Sequence, residues 1–96
     1  MEPIYFSNRS AAYYNIDQFE KALEDANHAL RLDPKYLKAH FRKVASLYEL
    51  NCLSEAKEAI ENSQKYGNYP DIEKLLSKLE KEIQLVPLIF KGMIRK

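Results

Sequence analysis

The chain has 96 residues, 46% hydrophobic and 30% charged: one small globular domain, long enough for a single core but helped by added partner surface. Fifteen basic against 14 acidic side chains, a formal net charge of +1, argue against nucleic acid as the main partner. The single cysteine, Cys52, excludes an internal disulfide framework and fits a reducing, cytoplasmic compartment. No basic segment followed by an apolar run opens the chain, so no secretory signal is expected. The longest apolar stretch, Leu85 to Phe90, contains Pro87 and falls far short of the ~20 residues that a membrane-spanning helix needs.

Two glycines, no Asn-Gly or Asp-Gly turn and abundant Ala, Leu, Glu and Lys predict an all-α fold without strands. A first helix is expected from Pro3 to about Asn15, with proline in its opening turn. One face carries Phe6, Arg9, Ser10 and Tyr13, another Ser7, Asn8, Ala11 and Asn15. An Asp-x-x-Glu signature at Asp17 to Glu20 predicts the start of a second helix, with the apolar stripe Phe19, Ala22, Leu23, Ala26, Ala29 and Leu30. Asp33-Pro34 ends it and opens the third helix, about Pro34 to Leu50. A fourth, about Leu53 to Lys65, repeats the small-residue pattern with Ala56, Ala59 and Ile60 and stops before Gly67-Asn68-Tyr69-Pro70. The fifth starts near Asp71 with the stripe Ile72, Leu75, Leu76, Leu79 and Ile83 and reads as a lid over the last helix pair. Pro87 should kink or end it, leaving Leu88, Ile89 and Phe90 to pack back on the core or to mark a partner surface.

The third helix carries the chain's local charge anomaly. Lys35, Lys38, Arg42 and Lys43 lie between Asp33 and Glu49 with no carboxylate among them. Lys38 and Arg42 stand one turn apart, a like-charge pair that costs roughly 0.2–0.5 kcal/mol of helix stability. Two readings follow from spacing: solvated surface cations, or a pair that an external anion offsets.

An offset of 34 residues aligns Ala11 with Ala45, Tyr14 with Tyr48, Ala22 with Ala56 and Glu24 with Glu58, and pairs Arg9 with Lys43, Ile16 with Leu50 and Phe19 with Leu53. That is the period of a tetratricopeptide repeat (TPR). The small residues Ala22, Ala26 and Ala29 let helices approach near the lower end of the usual ~8–10 Å separation, and a large side chain at Ala22 should splay the pair. Asn8 to Ala12 (NRSAA), Ala22 to Asp25 and Lys38 to Lys43 (KAHFRK) make the chain resemble the second and third repeats of the TPR domains in co-chaperones that bind the C-termini of Hsp70 and Hsp90. The resemblance implies antiparallel helix pairs of a TPR superhelix, one repeat over 3–36, another over 37–70, and a capping helix and tail over 71–96. It further implies a carboxylate clamp for an acidic C-terminal tail, to which this chain contributes Asn8, Lys38 and Arg42. The repeat that would supply another lysine and asparagine is not in this chain, which is therefore expected to be a fragment or to carry a reduced clamp. Ser63 and Asn68 stand where the family has alanine and proline.

Helical phase, taken separately, places Lys38, Phe41, Arg42, Ala45 and Glu49 on one face, with Ser7, Asn8, Ala11 and Asn15 opposite on the first helix. Arg42 suits a carboxylate or a peptide carbonyl, Lys38 acts as a point charge, Asn8 can donate to a terminal carboxylate, and Phe41 offers an apolar surface. Ser7, Ala11, Asn15 and Ala45 are further groove contacts. No catalytic motif occurs, so no enzyme is expected; Gly67 and Gly92 make no phosphate loop, and no metal or other cofactor is implied. His28 reads as a surface residue, His40 as packed between helices, and the tyrosines as inter-helix packing. The competing reading is a structural or self-associating TPR scaffold, joined to another copy or protein through the exposed edge of the first helix or the C-terminal tail.

Overall fold

The computed structural model describes residues 2–94, and the side chains of residues 2–82. Five helices follow one another: α1 Pro3–Asn15, α2 Phe19–Leu32, α3 Leu37–Glu49, α4 Leu53–Gln64 and α5 Pro70–Ile94. No strand occurs among the described residues. Each helix packs on the next, while α1, α3 and α5 also touch in series as one layer. α2 and α4 lie on the other side and do not meet. The result is a row of helix pairs with an inner face formed by alternate helices.

Small side chains make the pairs possible. Ala22, Ala26, Ala29, Ala39 and Ala56 are wholly buried, so backbones approach where a longer side chain would hold them apart. In the first pair the close approach lets the Ser10 hydroxyl donate to the Ala22 carbonyl at 2.6 Å. In the second pair Val44 replaces Ser10 and Ile60 replaces Ala26, and these join Leu47, Ala59, Ile72 and Leu79 in one apolar cluster. Ser63, unexpected at an alanine position, is buried without loss because its hydroxyl donates to the Ile60 carbonyl at 2.7 Å.

Both hairpin turns are built alike. Asp17 (φ 62°) and Asn51 (φ 63°), 34 residues apart, are left-handed. The amides of Asp17 and Gln18 bond to the Tyr14 and Tyr13 carbonyls, and those of Asn51 and Cys52 to the Tyr48 and Leu47 carbonyls. These are paired Schellman closures, and Asp and Asn are the side-chain-bearing residues that tolerate the left-handed site best. This corrects the expected role of Asp17: it terminates α1 instead of capping α2, which begins at Phe19 after Gln18 with no side-chain cap.

The other corrections are also local. α3 begins at Leu37, not Pro34, because Asp33 claims the next residues for a turn: its carboxylate accepts the Lys35 amide at 3.1 Å and its carbonyl the Tyr36 amide at 3.2 Å. The freed Pro34 carbonyl then accepts from His40 Nε2 at 2.7 Å, which requires the Nε2–H tautomer. His40 is buried, as its phase implied, and stacks on Tyr66. His28 is not a plain surface residue: it is half-buried and stacked on Phe6, ring centroids 3.8 Å apart, because its turn of α2 faces α1. Before α5, Gly67 takes φ +145° with Leu37 Cδ1 3.2 Å from where a Cβ would stand, so any other residue at this bend would be strained and would push Leu37 aside. Pro70 then occupies the first helical position, and the Tyr69 carbonyl takes the amides of Ile72 and Glu73. Pro87 does not end α5, whose backbone continues to Ile94. The packing of Ile83 and of the Leu85–Ile94 tail lies outside the described side chains.

The repeated left-handed turns predict that Asn51→Val costs about 1–2 kcal/mol, since a β-branched residue pays the full left-handed penalty, whereas Asn51→Gly holds or raises stability. Urea denaturation of both variants measures this; equal midpoints for valine and asparagine would refute the assignment.

Candidate functional site: the inner face of α1 and α3

The inner face is assembled from positions that repeat. The 34-residue offset carries Ile4 to Lys38, Asn8 to Arg42, Ala11 to Ala45 and Tyr14 to Tyr48. Since α1 and α3 pack side by side, these positions line one surface. Asn8 and Lys38 are exposed and Arg42 is half-buried. Lys38 and Arg42 lie one helical turn apart, a rise of about 6 Å. Ile4, where the first helix could have carried a matching cation, is 52% exposed and apolar, so the positive charge of the face comes from α3.

Arg42 sets its guanidinium carbon 5.0 Å from the centre of the Phe41 ring. Among the described residues the ion pair is Arg9–Asp25, and neither Lys38 nor Arg42 takes part in one. Arg42 also reaches the field of α1. The Tyr14 hydroxyl is pushed above its ordinary pKa by burial, then by the Glu49 carboxylate, with Arg42 pulling the other way. Tyr14 of α1 thus feels the charges of both Glu49 and Arg42 of α3, the helix packed beside it.

The remaining expected contacts divide by burial. Asn15 is exposed and Ala11 half-exposed. Ser7 and Ala45, 3% and 2% exposed, offer almost no surface to a ligand and act as floor. Phe41 is half-buried, and its ring meets Tyr69 edge-on at 5.6 Å, so part of it is committed to holding the loop before α5. Arg9, adjacent to Asn8, points the other way: Nε and Nη2 donate to Asp25 at 2.7 and 2.9 Å, clipping α1 to α2.

One inner-face element was missed in the sequence. The Tyr48 hydroxyl donates to the Glu82 carboxylate, tying α3 to α5. That hydrogen bond, followed by desolvation and the charges of Glu82 and Glu49, raises the Tyr48 pKa. The available signal was the repeat itself, because the 34-residue offset that carries Tyr14 to Tyr48 carries Tyr48 to Glu82. The face thus grades from Lys38 and Arg42 near the start of α3 to Glu49 and Glu82 near its end.

This arrangement has known counterparts. The sequence model of the family described as Tetratricopeptide repeat matches residues 3–36. The solved TPR domain of Sgt2 from Aspergillus fumigatus superimposes with a TM-score of 0.82, at 36% identity, covering 90% of this chain and 59% of that one. The chain folds as a tetratricopeptide-repeat module. In sequence, this chain is 49% identical over 59 residues to the heat-shock protein cognate co-chaperone sgt12 of Aspergillus fumigatus, covering 62% of the chain and 17% of the relative. The chain thus spans under a fifth of that relative's length. The first TPR of Spaghetti (RPAP3), solved bound to the HSP90 peptide SRMEEVD, superimposes with a TM-score of 0.76 at 29% identity, covering 86% of this chain and 68% of that one. No helix among the described residues is long and apolar enough to cross a membrane, and no group of three or more His, Cys, Asp or Glu there could hold a metal ion.

The sign of the Tyr48 shift gives a pH prediction. A raised folded-state pKa means that the hydroxyl's contribution is fully present below the unfolded value of about 10 and is lost as pH rises through the folded value. Tyrosinate absorbance of wild type minus Tyr48→Phe should show Tyr48 ionising above pH 10, and Glu82→Ala should return it toward the ordinary value. A Tyr48 titration indifferent to Glu82→Ala would contradict the latch.

Proposed function

We propose that this module is a co-chaperone-type adaptor whose α1–α3 face holds the acidic C-terminal tail of an Hsp70- or Hsp90-type chaperone. The observation that carries the reading is the Lys38–Arg42 pair, two cations one turn apart that take no ion pair among the described residues and share an inner face with Asn8. Arg42, partly withdrawn from solvent and lodged beside Phe41, is suited to a carboxylate or a peptide carbonyl. Lys38 supplies charge without geometric demand, and Asn8 donates from the opposite wall. The apolar part of Phe41 and the small Ala11 leave room for an aliphatic side chain beside the terminus. The likeness to co-chaperone TPR domains, one of them solved with an acidic HSP90 peptide, supports this assignment. A half-buried lone thiol, Cys52, supports a reducing, cytoplasmic setting.

Titration of a peptide ending in Glu-Glu-Val-Asp tests the proposal. Arg42→Ala should weaken binding roughly 10- to 100-fold, the effect of a lost charge-assisted hydrogen bond, with the helical circular dichroism unchanged. Amidating the peptide's carboxylate should weaken it comparably, and raised salt should weaken both. Equal binding by Arg42→Ala, or indifference to amidation, rejects the reading.

A second reading, self-association, is favoured by the apolar exposure on α1 and at its end, where Ile4, Tyr5 and Ile16 are 52%, 44% and 65% exposed. Light scattering at rising concentration should then report dimers that Ile4→Asp with Ile16→Asp disperses; a monomer throughout rejects it.

A further inference from the structure

The outer side of the ladder holds a second cationic feature, unrelated to Lys38 and Arg42. Because α2 and α4 do not meet, part of α3 lies open between them. Two adjoining clefts of about 250 and 210 Å³ run along this gap and share Lys43, Ala59 and Asn62. The first is flanked by Glu55 and Glu58. The second is lined by His40, Lys65 and Tyr66 with the three shared residues, Leu30 and Pro34, and none of these is acidic. Asp33, next to Pro34 in the chain, accepts the Lys35 amide in its own turn and does not line this cleft.

The first repeat indicates what this place accepts. Lys43 lies 34 residues after Arg9, and Ala59 lies 34 after Asp25. In the first repeat the two positions form the bidentate Arg9–Asp25 pair, with Asp25 5% exposed. In the second the cation is kept and the carboxylate has become Ala59, 4% exposed. Lys43 takes no ion pair among the described residues. The chain therefore holds a filled and an unfilled version of one geometry: a cation on an inner helix facing the position from which a carboxylate was supplied by the outer helix. At the unfilled one, Asn62 and Lys65, three and six residues past Ala59, add an amide and a second positive charge. His40 donates its Nε2–H to Pro34 and supports Tyr66, whose 42% exposure gives the cleft an aromatic wall.

We propose that the cleft over Ala59 is a docking site for a carboxylate side chain on a protein partner, seated against Lys43 and Lys65 on the outer side of the module. A peptide is favoured over a free ion because the charged end continues into apolar surface, Leu30 and Pro34 with Tyr66, on the side away from Glu55 and Glu58. The module then reads acidic segments on two opposite faces. This site does not depend on the assignment of the α1–α3 face and is tested with that face left without its ligand.

The probe is the capped tetrapeptide N-acetyl-Leu-Asp-Glu-Leu-amide, which has no terminal carboxylate, titrated into the isotopically labelled chain and followed by amide chemical shifts. Shifts should centre on Lys43, Ala59, Asn62 and Lys65, weaken about tenfold or more in Lys43→Gln, and vanish in Ala59→Asp, where the variant supplies its own carboxylate as Asp25 does. Lys43→Gln keeps the test decisive if Ala59→Asp does not fold. Shifts confined to the surroundings of Asn8, Lys38 and Arg42, no shifts, or an unchanged titration by Lys43→Gln would overturn the proposal. So would an equal response to the Asn-Gln version of the peptide, or to acetate at the same carboxylate concentration, which marks an ion site only. Failure here leaves the tail-binding reading standing, and failure of that reading leaves this one standing.

Discussion

Every surface of this module depends on how closely its helices approach. Ala22, Ala26, Ala29, Ala39 and Ala56 are wholly buried, yet each contributes little apolar area, at about 25 cal/mol per Å² removed from water. Their contribution is distance. With the backbones close, a serine hydroxyl reaches the facing carbonyl, an arginine spans from α1 to α2, and α1, α3 and α5 can share one layer. A larger side chain at any of these positions would move the two walls of the inner face relative to one another before it altered any residue on them.

The two repeats solve the same packing problem with different chemistry. The first is held by polar contacts, Ser10 to the Ala22 carbonyl and Arg9 to Asp25. The second is held by Val44, Ile60 and Leu47, with Ile72 and Leu79 of α5 completing the cluster. Exchanging Asp25 for Ala59 leaves Lys43 without the carboxylate that Arg9 has, and Lys38 and Arg42, which stand where the first repeat has Ile4 and Asn8, take no ion pair among the described residues either. Lys38 and Arg42 turn to the inner face and Lys43 to the outer gap, so one helix presents positive charge in two directions. Arg9 shows why residue type alone does not identify a ligand-binding cation: its guanidinium is occupied by a buried aspartate.

Much of this was legible in the chain. The first and fourth helices, the all-α class, the 34-residue period and the burial of His40 follow from proline placement, small-residue spacing and helical phase. What was misread shares a cause. Asp17 has the side chain of a helix cap and Pro34 suits a first helical position, but both local preferences lost to turns closed by backbone hydrogen bonds. Asn51 offered the corrective signal, since a residue at the same place in the second repeat has no acidic partner with which to build a capping box. His28 was misread because one-helix phase does not say which neighbour a half-exposed flank will meet; Phe6 meets it. The Tyr48–Glu82 bond was missed because it joins two helices separated by an entire helix and loop.

The residues by themselves determined the period, the helix pairs and the uncompensated charge on the third helix, because these depend on spacing along one strand of chain. Which cations are free was decided only by tertiary structure. Arg9, Lys38, Arg42 and Lys43 are alike in a sequence, and they part company when α2 brings Asp25 to the first and α4 brings Ala59 to the last. A charge is defined as a site by what the fold places, or fails to place, within hydrogen-bonding reach of it.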